Sequence, residues 1–281
     1  MLPPLFSRRQ SAHTHPTGRF ALELRHLRVQ FNGRPALEDL SLQIEPGLRV
    51  AVVGPNGAGK STLFNVLAGA LAPTAGEARV HGHLPAQYLC LAYVPQSSLI
   101  DWHFPVSVED VVMMGRAGRL GLLRWPADLD RRLVHESLKR VGISQLAHRP
   151  INELSGGQKQ RMFIARALAQ QADLLLLDEP LAGLDIPSQE QILQILDTLH
   201  DQGITVLVAT HDLDLAAEHF DRILLLNQKL IAYGTHTEVL TAQNLAQAYG
   251  GHMQAVETKE GKLLIGDMGG HHGHDVEGRH G

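Results

Sequence analysis

The junction between the apolar run Val50, Ala51, Val52 and Val53 and the segment Gly54, Pro55, Asn56, Gly57, Ala58, Gly59, Lys60, Ser61 and Thr62 constrains this fold more than any other stretch. A G-x-x-x-x-G-K-S spacing that leaves a buried strand and opens a helix is the context in which backbone wraps a polyphosphate. Glycines 54, 57 and 59 let the main chain turn its N–H groups inward, and a helix expected over 60–70 adds its positive dipole end. Lys60 then supplies a point charge for β- and γ-phosphates, and the Ser61 hydroxyl a ligand for Mg²⁺. Such a junction belongs in an α/β fold with a parallel sheet.

A second site points the same way. Leu174, Leu175, Leu176 and Leu177 read as another buried strand, and it ends in Asp178 and Glu179. Ligands of open parallel sheets bind at the carboxyl ends of strands, where two adjacent acids can divide the labour. Asp178 would hold Mg²⁺ through water, while Glu179, facing the other way, would polarise an attacking water.

Between these two sites lies Leu154 followed by Ser155, Gly156, Gly157 and Gln158. With the motifs in this order the sequence resembles the ATPase subunit of ATP-binding-cassette (ABC) transporters, over roughly residues 20–250. The resemblance extends to Phe31 upstream of the phosphate loop, Gln96 after an apolar strand, Asp185 after the acidic pair, and His211 after the strand-like run 204–209. It implies a P-loop NTPase (RecA-like) core with an antiparallel β-subdomain and a helical subdomain, ATP with Mg²⁺ as cofactors, and ATP hydrolysis as the activity.

The resemblance also assigns roles. Phe31 would stack on adenine, where the family often has tyrosine; the ring survives and the hydroxyl is lost. Gln96 would reach Mg²⁺ and the attacking water, and His211 would contact the γ-phosphate and support Glu179. Ser155–Gln158 would meet the γ-phosphate of an ATP bound on the opposite subunit, with Asp185 helping to bridge the pair. One set of motifs therefore implies a second copy or a related chain. Ala182 stands where a small hydroxyl residue is frequent, which puts a minor contact near that seam in doubt.

The stretch from Tyr93 through Gln96 to Arg116 looks like the branch of the family serving manganese, zinc or iron importers. In the family this region forms part of the groove that receives a cytoplasmic helix of the membrane subunit. Trp102, Phe104, Val106, Met113 and Met114 would either line such a groove or pack the helical subdomain. The partners implied are integral-membrane permease subunits and, indirectly, an extracytoplasmic metal-binding protein. From residue 266 onward His271, His272, His274 and His280 mix with Asp267, Asp275, Glu277 and many glycines. This tail would either chelate zinc or manganese or serve as a passive extension.

Composition agrees with this frame. In 281 residues, 44 % hydrophobic content is ample for a large core. A net charge of −4 argues against bulk attraction to nucleic acid. The single Cys90 precludes an internal disulfide and fits a reducing compartment. No apolar run approaches the roughly 18 residues of a spanning helix, so no segment is expected to cross a membrane; the resemblance implies a peripheral subunit at the cytoplasmic face of the inner membrane. The expected layout is a flexible arm over 1–19, the ATPase domain over 20–250 with its helical subdomain at about 97–155, and a C-terminal extension over 251–281. Within it, antiparallel strands are expected around Asn32 and Gly33, a strand at 76–82, and helices at Val108–Met114, 129–141 and 159–170. Two short strands over 221–234 and helical turns over 238–249 close the domain. Two other readings stand beside this one: the ATPase subunit of an ABC transporter for another solute, such as an iron chelate, and a soluble ABC ATPase of translation or repair, which generally requires two cassettes or a long coiled-coil insertion that this chain does not show.

Overall fold

The computed structural model describes residues 19–96, 102–120 and 125–250, with the backbone of 253–257 and 263–267. The arm over 1–18 and the histidine tail beyond 267 lie outside the described residues.

Three strands come first: β1 (Leu22–Phe31), β2 (Arg34–Ile44) and β3 (Arg49–Val53). Asn32 and Gly33 both take positive φ, 49° and 77°, so the turn twists in the sense that keeps β1 and β2 paired, with Phe31 opposite Arg34. β4 (Ala75–Val80) adds to the other edge of β1, giving an antiparallel sheet of order β2-β1-β4. Helix α1 (Lys60–Leu67) follows β3 directly after the phosphate loop.

The second sheet contains β3 with β5 (Leu91–Val94), β6 (Leu174–Asp178), β7 (Thr205–Thr210), β8 (Arg222–Asn227) and β9 (Lys229–Gly234), in the order β5-β6-β7-β3-β8-β9. All pairings are parallel except β8 with β9. The all-leucine strand explains why this sheet is buried on both faces: Leu174 and Leu176 enter one apolar core, and Leu175 and Leu177 enter the other. The first core lies under α1 and the antiparallel sheet, and the second under the remaining helices. Truncating one of these leucines to alanine costs about 2–5 kcal/mol in a packed interior.

The helices of the chain's middle are α2 (Val108–Met114), α3 (Ala117–Leu120), α4 (Asp128–Arg140) and α5 (Gly156–Ala169), with α2, α4 and α5 packed on one another. Beyond them come α6 (Ile186–Asp201), α7 (Leu213–His219), α8 (His236–Val239) and α9 (Ala242–Tyr249). Helix α5 starts three residues before the 159 expected from its apolar pattern. Ser155 accepts from the backbone N–H of Gln158 (3.3 Å), and the Gln158 side chain accepts from the backbone N–H of Ser155 (3.1 Å). This capping box satisfies helix-terminal donors and extends the helix into the glycine pair. Past 250 the backbone forms a hairpin of β10 (Met253–Glu257) and β11 (Leu263–Asp267), which the sequence pattern did not announce.

One buried ion pair joins the helices. The Arg116 Nε donates to Asp130 (2.8 Å) and its Nη1 to the carbonyl of Ala169 (2.9 Å), with both side chains below a tenth exposed. Arg116→Leu leaves the Asp130 carboxylate buried without its cation, which is expected to cost about 3–5 kcal/mol. Chemical denaturation checks this as a lowered midpoint, and an unchanged midpoint contradicts it.

The candidate ATP site

The phosphate loop lies at the carboxyl end of β3, between neighbours β7 and β8. Gly59 caps α1 in a left-handed conformation (φ 97°) with no side-chain hydrogen bond, so the first N–H groups of the helix are left for a ligand. A Cβ at Gly59 would come within 2.5 Å of the Ala36 carbonyl and 2.6 Å of Leu37, so its absence lets β2 seat against the loop. That contact brings the β1–β2 hairpin to the loop. Phe31, at the hairpin end, is half exposed.

Lys60 is 7 % exposed and donates to the carbonyls of Gly54 (2.7 Å) and Pro55 (3.2 Å). Burial pulls its ammonium below the usual lysine range, and the charges of Glu179 and Asp178 pull it back up. Among the described residues it makes no ion pair. A buried cation resting on its own loop's carbonyls, beside uncapped helix N–H groups, fits a polyphosphate.

At the end of β6, Asp178 is 5 % exposed. Burial raises its carboxyl above the ordinary range; Ser61 and Tyr93 hydroxyl bonds and the Lys60 charge act against that rise, and Glu179 adds to it. The Tyr93 hydroxyl lies 3.4 Å from Asp178. Burial, with Asp178 beside it, pushes the Tyr93 phenol up to about 12. A buried carboxylate in contact with a serine hydroxyl is an all-oxygen donor set suited to a hard divalent cation such as Mg²⁺. Gln96 is exposed, and no hydrogen bond among the described residues joins it to Asp178 or Glu179.

Glu179 takes φ 50°, a left-handed backbone that side chains other than glycine rarely adopt. Its N–H still donates to Ala209 (3.0 Å), so the strand pairing closes while the side chain leaves the strand line. Its carboxylate lies 3.2 Å from His211 Nδ1. The structure therefore brings Lys60, Ser61, Asp178, Glu179 and His211 to one end of the sheet, with Tyr93 as a contributor that motif reading passed over. An aromatic hydroxyl three positions before Gln96 was the available signal.

Glu179 and Pro180 line two cavities of about 180 and 220 Å³. The first also meets His211, and the second meets Gly156, Lys159 and Trp102. Among the described residues the side-chain hydrogen bonds of Ser155 and Gln158 are to each other, and none joins them to the phosphate loop of the same chain. Asp185 caps α6 without a side-chain hydrogen bond.

The two glycines of this segment differ in tolerance. A Cβ at Gly156 would meet only the end of the Leu184 side chain (2.9 Å), which can move. At Gly157 it would meet Ser188 Oγ (2.6 Å) and Cβ (2.8 Å) on α6. Gly157→Ala is expected to cost about 1–3 kcal/mol by forcing α5 and α6 apart, with Gly156→Ala milder. Thermal denaturation of both variants checks the order.

The groove residues separate in the same way. Trp102 packs edge-on against Phe163 (5.8 Å) under the Lys159 ammonium (4.1 Å), and Val106 and Met113 pack on the core. Phe104 and Met114, 58 % and 50 % exposed, are the members left facing outward.

The family described as "ABC transporter" matches residues 37–182. A manganese transport system ATP-binding protein, MntB of Bacillus subtilis, is 43 % identical over 241 residues, covering 85 % of this chain and 96 % of the relative. A chelated iron transport system membrane protein, YfeB of Yersinia pestis, is 44 % identical, covering 80 % of this chain and 77 % of the relative. A zinc transport system ATP-binding protein, TroB of Treponema pallidum, is 42 % identical, covering 84 % and 89 %. A solved structure assigned to the metal-chelate type of ABC transporter, in an inward-facing conformation, superposes with a TM-score of 0.74 at 31 % identity, covering 88 % of this chain and 96 % of that one. With a phosphate loop, an acidic strand end and a capped glycine pair in this arrangement, the chain belongs to the ABC transporter family, as one of its ATP-hydrolysing subunits.

Proposed function

We propose that this chain energises a membrane importer of divalent metal ions, with manganese, zinc or iron as cargo. The observation that carries the reading is similarity above 40 % identity, over most of the chain, to relatives named for manganese, zinc and chelated-iron transport. The residues of the site support the energy-coupling part. The loop 54–62 and Lys60 would hold the β- and γ-phosphates, and Ser61, Asp178 and Gln96 would hold Mg²⁺, which when bound neutralises phosphate charge. Glu179 would polarise the attacking water, with His211 holding its carboxylate in place. Phe31 would stack on adenine.

Among the described residues, Ser155, Gly156, Gly157 and Gln158 make no hydrogen bond to the phosphate loop of their own chain, which supports their use on the ATP of a second copy, with Asp185 at the seam. Two copies would then close around two nucleotides and move permease subunits docked at Phe104 and Met114. No helix among the described residues is long and apolar enough to cross a membrane, so this reading places the chain peripherally, at the cytoplasmic face. A metal-chelate cargo is the second reading, favoured by the chelated-iron relative and the metal-chelate type structure.

Uptake into proteoliposomes containing the chain and its permease distinguishes these cargoes. ATP-dependent accumulation of free Mn²⁺, Zn²⁺ or Fe²⁺ supports the first reading. Accumulation of a chelate alone supports the second, and transport of neither contradicts both.

A further inference from the structure

We propose that the outward face of α4, together with Trp125, is a contact surface for an anionic lipid bilayer. Trp125 is 92 % exposed, the most open of the large apolar side chains described, and Leu129 on the first turn of α4 is 48 % exposed. An indole left this open forgoes the burial that normally dominates the energetics of aromatic side chains.

The helix that follows is divided by charge. Asp130, Leu133, Val134, Ser137 and Leu138 face the protein interior. Arg131, His135 and Lys139, four residues apart on one row, face solvent, with Arg132 beside them. Arg131, Arg132 and Lys139 make no ion pair among the described residues. Two acids share the outward face. Asp128 sits at the helix start, where it complements the helix dipole, and Glu136 acts on Arg140. Three cations without an ion pair among the described residues therefore lie on the helix that follows an exposed indole, on a chain whose net charge is −4.

That pairing matches the chemistry of a headgroup layer. Tryptophan settles at the interface between water and hydrocarbon, and each nearby Lys or Arg strengthens attraction to anionic headgroups by about fivefold. The contact is weak on its own and would orient a subunit held at the membrane by other means. It does not depend on which solute is moved.

The chain has two tryptophans, so Trp102→Phe leaves Trp125 as sole reporter. The full-length protein is mixed with vesicles of phosphatidylcholine alone or with phosphatidylglycerol added, and both emission and co-sedimentation are followed. The expected result is a blue shift of Trp125 emission and pelleting with the anionic vesicles only, both suppressed by salt. Trp125→Ala, and separately Arg131→Glu with Arg132→Glu, are expected to reduce pelleting at least about tenfold while ATP hydrolysis in solution is unchanged. If Trp102→Phe does not fold, the difference between the intact protein and Trp125→Phe supplies the same signal. Pelleting that survives both sets of substitutions places lipid binding elsewhere and overturns the proposal. So does a blue shift that appears only in vesicles containing the permease, because the occupant is then protein.

Discussion

Glu179→Gln is expected to bind ATP with near-normal affinity while hydrolysis falls by about 10²–10⁴-fold, the range associated with loss of a positioned proton acceptor. Glutamine keeps the size of the side chain and can still meet His211, which lies 3.2 Å from the carboxylate in the intact protein. It cannot accept a proton from water. The left-handed backbone at Glu179 (φ 50°) gives the substitution a further meaning: a strained conformation is being held to place this one carboxylate between two cavities. With binding intact and turnover blocked, ATP should accumulate in a closed pair of subunits, visible as a dimer by size-exclusion chromatography with light scattering. Turnover within a few-fold of the parent would remove Glu179 as the base.

Lys60→Ala is expected to act earlier, on binding itself. Charge-assisted hydrogen bonds contribute about 1.5–3 kcal/mol, so losing the ammonium should weaken Mg·ATP affinity by about 10–150-fold. The nucleotide-free fold should tolerate the change well, because burial already opposes the charged form of Lys60 and, among the described residues, its hydrogen bonds go to loop carbonyls. Equilibrium binding by calorimetry, beside a thermal melt, separates the two effects. Weak binding with a normal melt is the expected pair of results. Unchanged affinity would count against the loop as the phosphate cradle, and a collapsed melt would assign Lys60 a structural role.

Much of this site was legible in the sequence because its parts are local. A phosphate loop needs a strand before it and a helix after it, and β3 and α1 occupy those places. The leucine run of β6 reads as a strand buried on both faces, as the structure has it, with Asp178 and Glu179 at its carboxyl end. Asn32 and Gly33 announced their hairpin through the φ values they permit. What sequence concealed was mostly non-local. Gly157 reads as a signature glycine, yet it also makes room for Ser188 on a helix about thirty positions away, a fact of packing rather than of motif. Tyr93 reaches Asp178 across neighbouring strands and carries no motif of its own.

Other gaps had local signals that were outweighed. The start of α5 was available from the Ser155–Gln158 capping box, but two glycines at a helix start weaken any propensity argument. The hairpin of β10 and β11 follows a glycine pair at 250–251, and its composition gave no clear alternation against the polar tail beyond it. For Trp102 the sequence left groove lining and packing of the helical subdomain both open, and its half-buried place against Phe163 emerges only from the packing of α5.

The most direct test of the whole account is total cellular manganese, zinc and iron by elemental mass spectrometry under metal limitation. Cells carrying the intact protein are compared with cells carrying only Lys60→Ala. A selective fall in one of these metals is expected in the variant. Equal contents of all three metals in both strains would contradict metal import as the work this ATP site drives.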